Sequence, residues 1–272
     1  MTAEKKIKIQ AKKALTGNWP AAVGAVFLAL CLILFITIPG DIVFIIIEEL
    51  IYKLAEIFEP ASLLVDNIRL IYAMFVPVAS FIPLFLISPL LTGVLKYFYS
   101  LAKNSDADFS EVFSYFGKKY PRVLSLNLSV FLRCFFRIFL PLVPYYVNHA
   151  IMDAITYSKE SLAFWDIMWY AVSYALLLVG IFVAVALSTK YFLSFFLFFE
   201  DESLGNRKIA TLSKESMKSF GKNIFKLSLS MSPWIIICIT VIPLIFVLPY
   251  ILTSVSISAK WIIALKFNNK ED

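Results

Sequence analysis

The chain has 272 residues, 60% of them hydrophobic and 16% charged. Ordinary soluble domains are about 45–50% apolar, so a water-soluble globule is excluded. The net charge of +6 comes without a zinc-finger spacing, an RNA-binding motif or a base-reading basic helix, so no nucleic acid is expected as a partner. Basic segments beside a membrane account for the charge instead.

The apolar residues run continuously over lengths that suit a membrane helix and do not alternate, which predicts helices and not a barrel. The expected fold class is all-α. It is a polytopic membrane protein of six transmembrane helices in three hairpins, each preceded by a cytoplasmic amphipathic helix, all in a single domain over 1–272.

Residues 4–16 carry Lys5, Lys6, Lys8, Lys12 and Lys13, with Ile7, Ala11, Ala14 and Leu15 near one helical face. Such a helix lies in the membrane interface with its lysines toward anionic headgroups. Gly17 ends it, and Trp19-Pro20 opens the first span, about 19–39. The basic start followed by an apolar run lacks a small-x-small cleavage site, so this helix is expected to be retained. Pro39-Gly40 is expected to end it. Residues 41–58, which turn acidic at Glu48, Glu49 and Glu56, then form an amphipathic helix on the outer face, with continuation of the first span as the alternative.

The second span is placed at about 70–90, kinked by Pro77, Pro83 and Pro89 and continuing through Lys96-Tyr97-Phe98-Tyr99-Ser100. Phe109, Val112, Phe113 and Phe116 then make one helical stripe, with Asp108 and Glu111 as a capping box and Gly117 as the terminator. The third span, about 123–143, is expected to close at Pro141 and Pro144, and the fourth runs about 164–188 into Lys190-Tyr191-Phe192-Leu193-Ser194. After the turn at Glu200-Asp201-Glu202 comes a third surface helix, about 207–220. It carries Arg207, Lys208, Lys214 and Lys218 on one side and Ile209, Leu212, Met217 and Phe220 on the other, and Gly221 is expected to stop it. The last apolar stretch fits two spans, about 227–246 and 247–266, or one long tilted span with a trailing surface helix.

Lysine and arginine set the orientation. The N-terminal tail holds 5, residues 96–122 hold 5 and residues 190–226 hold 7, while the two intervening connections carry only Lys53, Arg69 and Lys159. The basic segments, and with six spans both termini, are therefore expected on the cytoplasmic side.

Little in the chain points to catalysis. The one histidine, His149, has no nucleophile motif nearby, and Cys31, Cys134 and Cys238 lie dispersed in apolar runs. No enzyme activity, metal or cofactor is expected. Arg133 and Arg137 stand four apart on one face of the third span, where an unpaired charge is costly. They either contact an anion or lipid phosphate, or pair with Asp166, Glu48 or Glu49, or snorkel toward the interface.

Thr16-Gly17-Asn18-Trp19, Ser88-Pro89-Leu90-Leu91-Thr92-Gly93 and Asp108-Phe109-Ser110-Glu111-Val112-Phe113 form a recognisable set. It is completed by Ser213-Lys214-Glu215-Ser216-Met217-Lys218, Ser232-Pro233-Trp234 and Pro249-Tyr250. The set resembles an uncharacterised family of bacterial integral membrane proteins, filed as a domain of unknown function and distantly similar to the membrane domain of some glycerophosphodiester phosphodiesterases. The resemblance implies a bacterial plasma-membrane protein and carries over no catalytic residue.

The expected function is non-enzymatic: a lipid-interacting scaffold or accessory factor with a membrane or cytoplasmic protein partner. Lys5, Lys6, Lys8, Lys12, Lys13, Arg207, Lys208, Lys214 and Lys218 would meet lipid. The alternative is a transporter or channel whose anion-preferring path passes Arg133 and Arg137.

Overall fold

A computed structural model describes residues 2–57, 85–103, 107–156, 164–237 and 241–267. Among them the regular structure is helical throughout. In chain order the helices are α1 (Ala3–Leu15), α2 (Trp19–Ile57), the described part of α3 (Phe85–Lys103), a 3-10 helix (Phe109–Phe113), α4 (Tyr120–Thr156) and α5 (Phe164–Ser188). A 3-10 turn (Thr189–Tyr191), α6 (Ser194–Glu200), α7 (Asn206–Ile237) and α8 (Val241–Phe267) follow.

Five described stretches are long and apolar enough to cross a membrane: Trp19–Pro39, Phe85–Lys103, Tyr120–Met152, Phe164–Glu200 and Pro243–Phe267. Large apolar side chains on these stretches face outward, with Phe35 76%, Leu140 73% and Leu178 69% exposed. Faces of this kind, repeated along several helices, suit a lipid surrounding and not water.

Several expected helix ends lie inside longer helices. Pro39 does not end the first helix, since α2 continues to Ile57 with Pro39 inside it. Pro141 and Pro144 likewise lie inside α4, which runs on through His149 to Thr156. Gly221 lies within α7, so the surface helix and the apolar stretch after it are one element. Residues 238–240 lie outside the described residues, and α8 runs through the boundary expected at 246/247. Most of the expected second span, 70–84, lies outside the described residues, but the helix does continue through Lys96–Ser100 as expected.

A proline inside a helix leaves the carbonyl four residues back without its N–H donor. Pro233 does this to Leu229, and the Ser232 hydroxyl donates to that same carbonyl at 2.7 Å. Membrane helices tolerate proline on this condition, that another donor replaces the missing one.

The chain divides into two compact units. One comprises Lys12–Asn127 and Thr240–Thr253. Its core gathers Leu15, Ala22, Ala25, Val26 and Ala29 with Leu90, Val94, Tyr97, Phe98, Leu101 and Val112. The small residues of α2 recur at helical spacing, giving α2 a close-packing stripe. Gly17 and Gly117 adopt φ of 85° and 92°, the left-handed conformation expected of a helix-ending glycine.

The segment 108–116 differs from the expected amphipathic α-helix. It is 3-10 over Phe109–Phe113, and only Val112 of the four-residue stripe is buried. Asp108 accepts from the Ser110 N–H at 3.1 Å and from its hydroxyl at 2.6 Å. These bonds hold its carboxyl below the usual carboxylate range. Glu111 accepts from the Ser100 hydroxyl on α3 and does not close a capping box.

The other unit comprises Met1–Ala11, Leu128–Ile239 and Ser254–Asp272. Within it α4 and α5 pack closely: Gly180 meets the Pro141 carbonyl, and Asn148 donates to the Ser173 hydroxyl. Moving forward from Pro141 to Asn148 on α4 moves back from Gly180 to Ser173 on α5, so the two helices run antiparallel.

A basic pocket on α7 as the candidate functional site

The N-terminal half of α7 is amphipathic. Ile209 and Met217 are buried, while Arg207, Lys208, Lys214 and Lys218 are exposed, as the sequence predicts. The helix starts from a turn in which the Ser203 hydroxyl and N–H both donate to Asp201. Those bonds, with Lys208 close by, hold the Asp201 carboxyl below its usual range.

Lys214, Lys218 and Lys222 recur every four residues and therefore share one face of α7. That face borders a pocket of about 420 Å³ lined by Ala186, Thr189, Lys190, Lys214, Met217, Lys218, Gly221, Lys222 and Phe225. The fourth lysine comes from the 3-10 turn, whose backbone is fixed to α7 by the buried Ser213 hydroxyl donating to the Lys190 carbonyl at 3.0 Å. Thr189 donates to the Ala186 carbonyl at 2.8 Å. Phe225 packs edge-on to Phe182 of α5, their centroids 4.9 Å apart. Among the described residues none of the four lysines is ion-paired with a carboxylate.

Four lysines line this one concavity, together with Thr189 and the apolar Ala186, Met217 and Phe225, a lining whose charge suits an anion. Of this set, Lys214 and Lys218 are the expected lipid-facing residues. Lys190 and Lys222 were not expected there. The four-residue spacing that links Lys222 to Lys214 and Lys218 is visible in the sequence. The fold of the 3-10 turn that brings in Lys190 is not.

Gly221 approaches Thr189 here. A Cβ at Gly221 would lie 3.7 Å from the Thr189 hydroxyl oxygen, an ordinary contact. Because a helix-interior glycine costs roughly 0.5–1 kcal/mol relative to alanine, Gly221→Ala is expected to raise the thermal midpoint of the detergent-solubilised protein. An unchanged or lowered midpoint would count against a continuous α7.

The α1 lysines separate into two groups. Lys5, Lys6, Lys12 and Lys13 are exposed. Lys8 is half-buried and donates to the Ser230 carbonyl at 3.0 Å and to its hydroxyl at 2.6 Å. Its ammonium is thus engaged within the protein, unlike those of the four exposed lysines.

Arg133 and Arg137 both lie on α4 and make different contacts. Arg133 donates to the Ser129 carbonyl at 3.2 Å and to its hydroxyl, one turn back. The Arg137 guanidinium lies over the Tyr191 ring, 4.8 Å from its centroid, and its Nη1 is buried without a hydrogen-bond partner among the described residues. Among the described residues neither arginine is paired with a carboxylate. His149 sits between the rings of Tyr145 and Tyr170, both edge-on to it.

Long apolar helices with outward-facing apolar side chains and a basic pocket on an amphipathic helix define a helical protein of membrane type. The chain belongs to the family described as "Protein of unknown function (DUF975)", which matches residues 1–265. No curated protein and no solved structure matches it.

Proposed function

We propose that this protein is a non-enzymatic integral membrane protein of the bacterial plasma membrane, a scaffold or accessory factor that gathers anionic lipid at its cytoplasmic face. The observation that carries the reading is the convergence of Lys190, Lys214, Lys218 and Lys222, none ion-paired among the described residues, on a single pocket. The exposed lysines of α1 add a second basic face of the same sign. A protein partner would dock on the surface these helices present.

Both termini are cytoplasmic in this reading, as the lysine and arginine distribution supports, so the number of crossings is even. The sixth crossing joins the five long apolar stretches through the apolar C-terminal part of α7. Single cysteines at Lys5 and Lys270 should both be labelled by a membrane-impermeant thiol reagent only after permeabilisation. Labelling of one of them in intact cells would refute the even count.

Each basic side chain near an anionic surface contributes about 1 kcal/mol. Replacing Lys5, Lys6, Lys12 and Lys13 with Gln should therefore lower the enrichment of phosphatidylglycerol around the protein several-fold in mixed nanodiscs. Equal enrichment by variant and wild type would dispose of the α1 contribution.

The competing reading is an anion-preferring transporter or channel, which the unpartnered Nη1 of Arg137 favours. It requires Arg137→Gln to abolish anion flux in proteoliposomes. Absence of flux in the wild type, or flux indifferent to this change, leaves the lipid reading.

A further inference from the structure

We infer that the pocket between the 3-10 turn and α7 is a discrete site for one phosphate-bearing amphiphile. The lysines hold a phosphomonoester headgroup, and the apolar part follows Met217 and Phe225 toward α5. The inference rests on the lipid-gathering reading but goes further: a diffuse basic face concentrates any anionic lipid, whereas a built pocket selects one headgroup.

Three features support selection. The first is charge. Like charges four apart on a helix repel one another, and here Lys214, Lys218 and Lys222 are joined by Lys190 from a separate turn. A phosphodiester headgroup offers one negative charge, while a phosphomonoester carries about −1.5 to −2 at neutral pH and three acceptor oxygens. The monoester therefore answers several ammonium donors at once. The second is pre-organisation: the Ser213 bond to the Lys190 carbonyl fixes the turn that supplies the fourth cation before any ligand arrives.

The third is size and continuity. A pocket of about 420 Å³ exceeds what a phosphate group alone fills. The remaining lining includes Ala186, Met217 and Phe225, and Phe225 contacts Phe182, which is 50% exposed on α5. An acyl-linked ligand has an apolar path to follow from the headgroup onto the α5 surface. A free inorganic anion gains nothing from that path.

The test uses the full-length protein in nanodiscs whose total negative charge is matched with either phosphatidic acid or phosphatidylglycerol. Lipid retained after gentle detergent extraction is counted by native mass spectrometry. Wild type is expected to retain one phosphatidic acid per chain in preference to phosphatidylglycerol. Lys218→Gln or Lys190→Gln should each reduce that retention about tenfold, the effect of one lost charge-assisted hydrogen bond. Gly221→Leu, which fills the pocket at a position with room for a Cβ, should abolish retention while the protein stays folded.

Equal retention of the two lipids, or retention that survives Gly221→Leu, overturns the site. Displacement of the bound species by inorganic phosphate as readily as by short-chain phosphatidic acid overturns the lipid as its source. The α1 four-lysine variant separates the two readings. Loss of bulk anionic enrichment there with phosphatidic acid still retained supports both. Unchanged enrichment beside specific retention sinks the α1 contribution and leaves the pocket standing.

Discussion

Replacing Gly93 with alanine is expected to prevent accumulation of folded protein. A Cβ at this position would lie 2.0 Å from the Val112 carbonyl oxygen, 2.8 Å from its carbon and 3.2 Å from the Glu111 carbonyl oxygen. Real atoms do not approach so closely. The obstacle is backbone and not the end of a flexible side chain, so α3 and the 3-10 helix would have to part. Their contact includes the buried Val112, the edge-on pair Tyr97–Phe109 at 6.4 Å, the Lys96 ammonium 5.0 Å from the Tyr115 ring centroid and the Ser100–Glu111 hydrogen bond. Overpacking against relaxed side chains costs about 1–3 kcal/mol. Here the backbone must move and a whole contact opens, so the cost should exceed about 3 kcal/mol, a large share of a marginal stability.

Fluorescence-detected size-exclusion of the tagged protein would register the loss as an absent monodisperse peak. Gly24→Ala is the internal control. Its Cβ would meet only the Phe109 ring edge, at 3.7 Å, and that variant should run as wild type. A folded Gly93→Ala protein of wild-type thermal midpoint would refute the close approach of α3 to the 3-10 helix.

The same contact joins two phrases of the sequence. Ser88–Gly93 and Asp108–Phe113 stand apart in the sequence as two separate phrases. In the fold they are the two sides of one joint, with the glycine on one side making room for the carbonyls of the other. Nothing in either phrase alone announces its partner, because a close backbone approach leaves no residue-type signature beyond the glycine itself.

Composition and helical period made the class of fold legible: the long apolar helices fall where continuous apolar runs occur. The helix ends are less legible. Proline and glycine interrupt helices in water, and by that rule Pro39, Pro141, Pro144 and Gly221 read as stops. In an apolar surrounding a broken helix leaves backbone groups with no water to satisfy them, which favours a helix that persists through proline. At Pro233 the Ser232 hydroxyl takes up the Leu229 carbonyl that the proline frees. Gly17 and Gly117 do behave as stops and carry positive φ, whereas Gly221 lies within α7.

The candidate site was half legible for a related reason. A run of basic residues at helical spacing marks a face, which identified Lys214 and Lys218. The Ser213 bond that ties the Lys190 backbone to α7 depends on packing between segments distant in sequence. The same limit governs Arg133 and Arg137. Their four-residue spacing suggested a shared task, yet one bonds back to Ser129 and the other stacks on Tyr191.

Gly180→Val is the second change expected to act strongly, and it tests what holds α4 to α5. A Cβ at Gly180 would lie 2.6 Å from the Pro141 carbonyl oxygen and 3.0 Å from Leu142 Cδ2. The leucine can turn aside but the carbonyl cannot, and valine adds two further methyl groups. Helix pairs in lipid associate through close packing at small residues, since apolar side chains gain nothing by leaving one apolar medium for another. Separating the backbones by even one methyl radius should cost about 2–4 kcal/mol.

The Asn148–Ser173 hydrogen bond lies two turns along the same interface, and Ser173 is fully buried. Interhelical hydrogen bonds of this kind average only about 0.6 kcal/mol in lipid. Ser173→Ala should therefore lower the thermal midpoint in detergent by a small fraction of the shift that Gly180→Val produces. The reverse order would make the polar pair, and not the glycine contact, the principal tie of the hairpin. Because the Arg137–Tyr191 stack bridges α4 to the turn that also carries Lys190, loosening α4 should disturb the basic pocket as well. Gly180→Val is accordingly expected to lose retained phosphatidic acid along with stability, whereas Ser173→Ala should keep it.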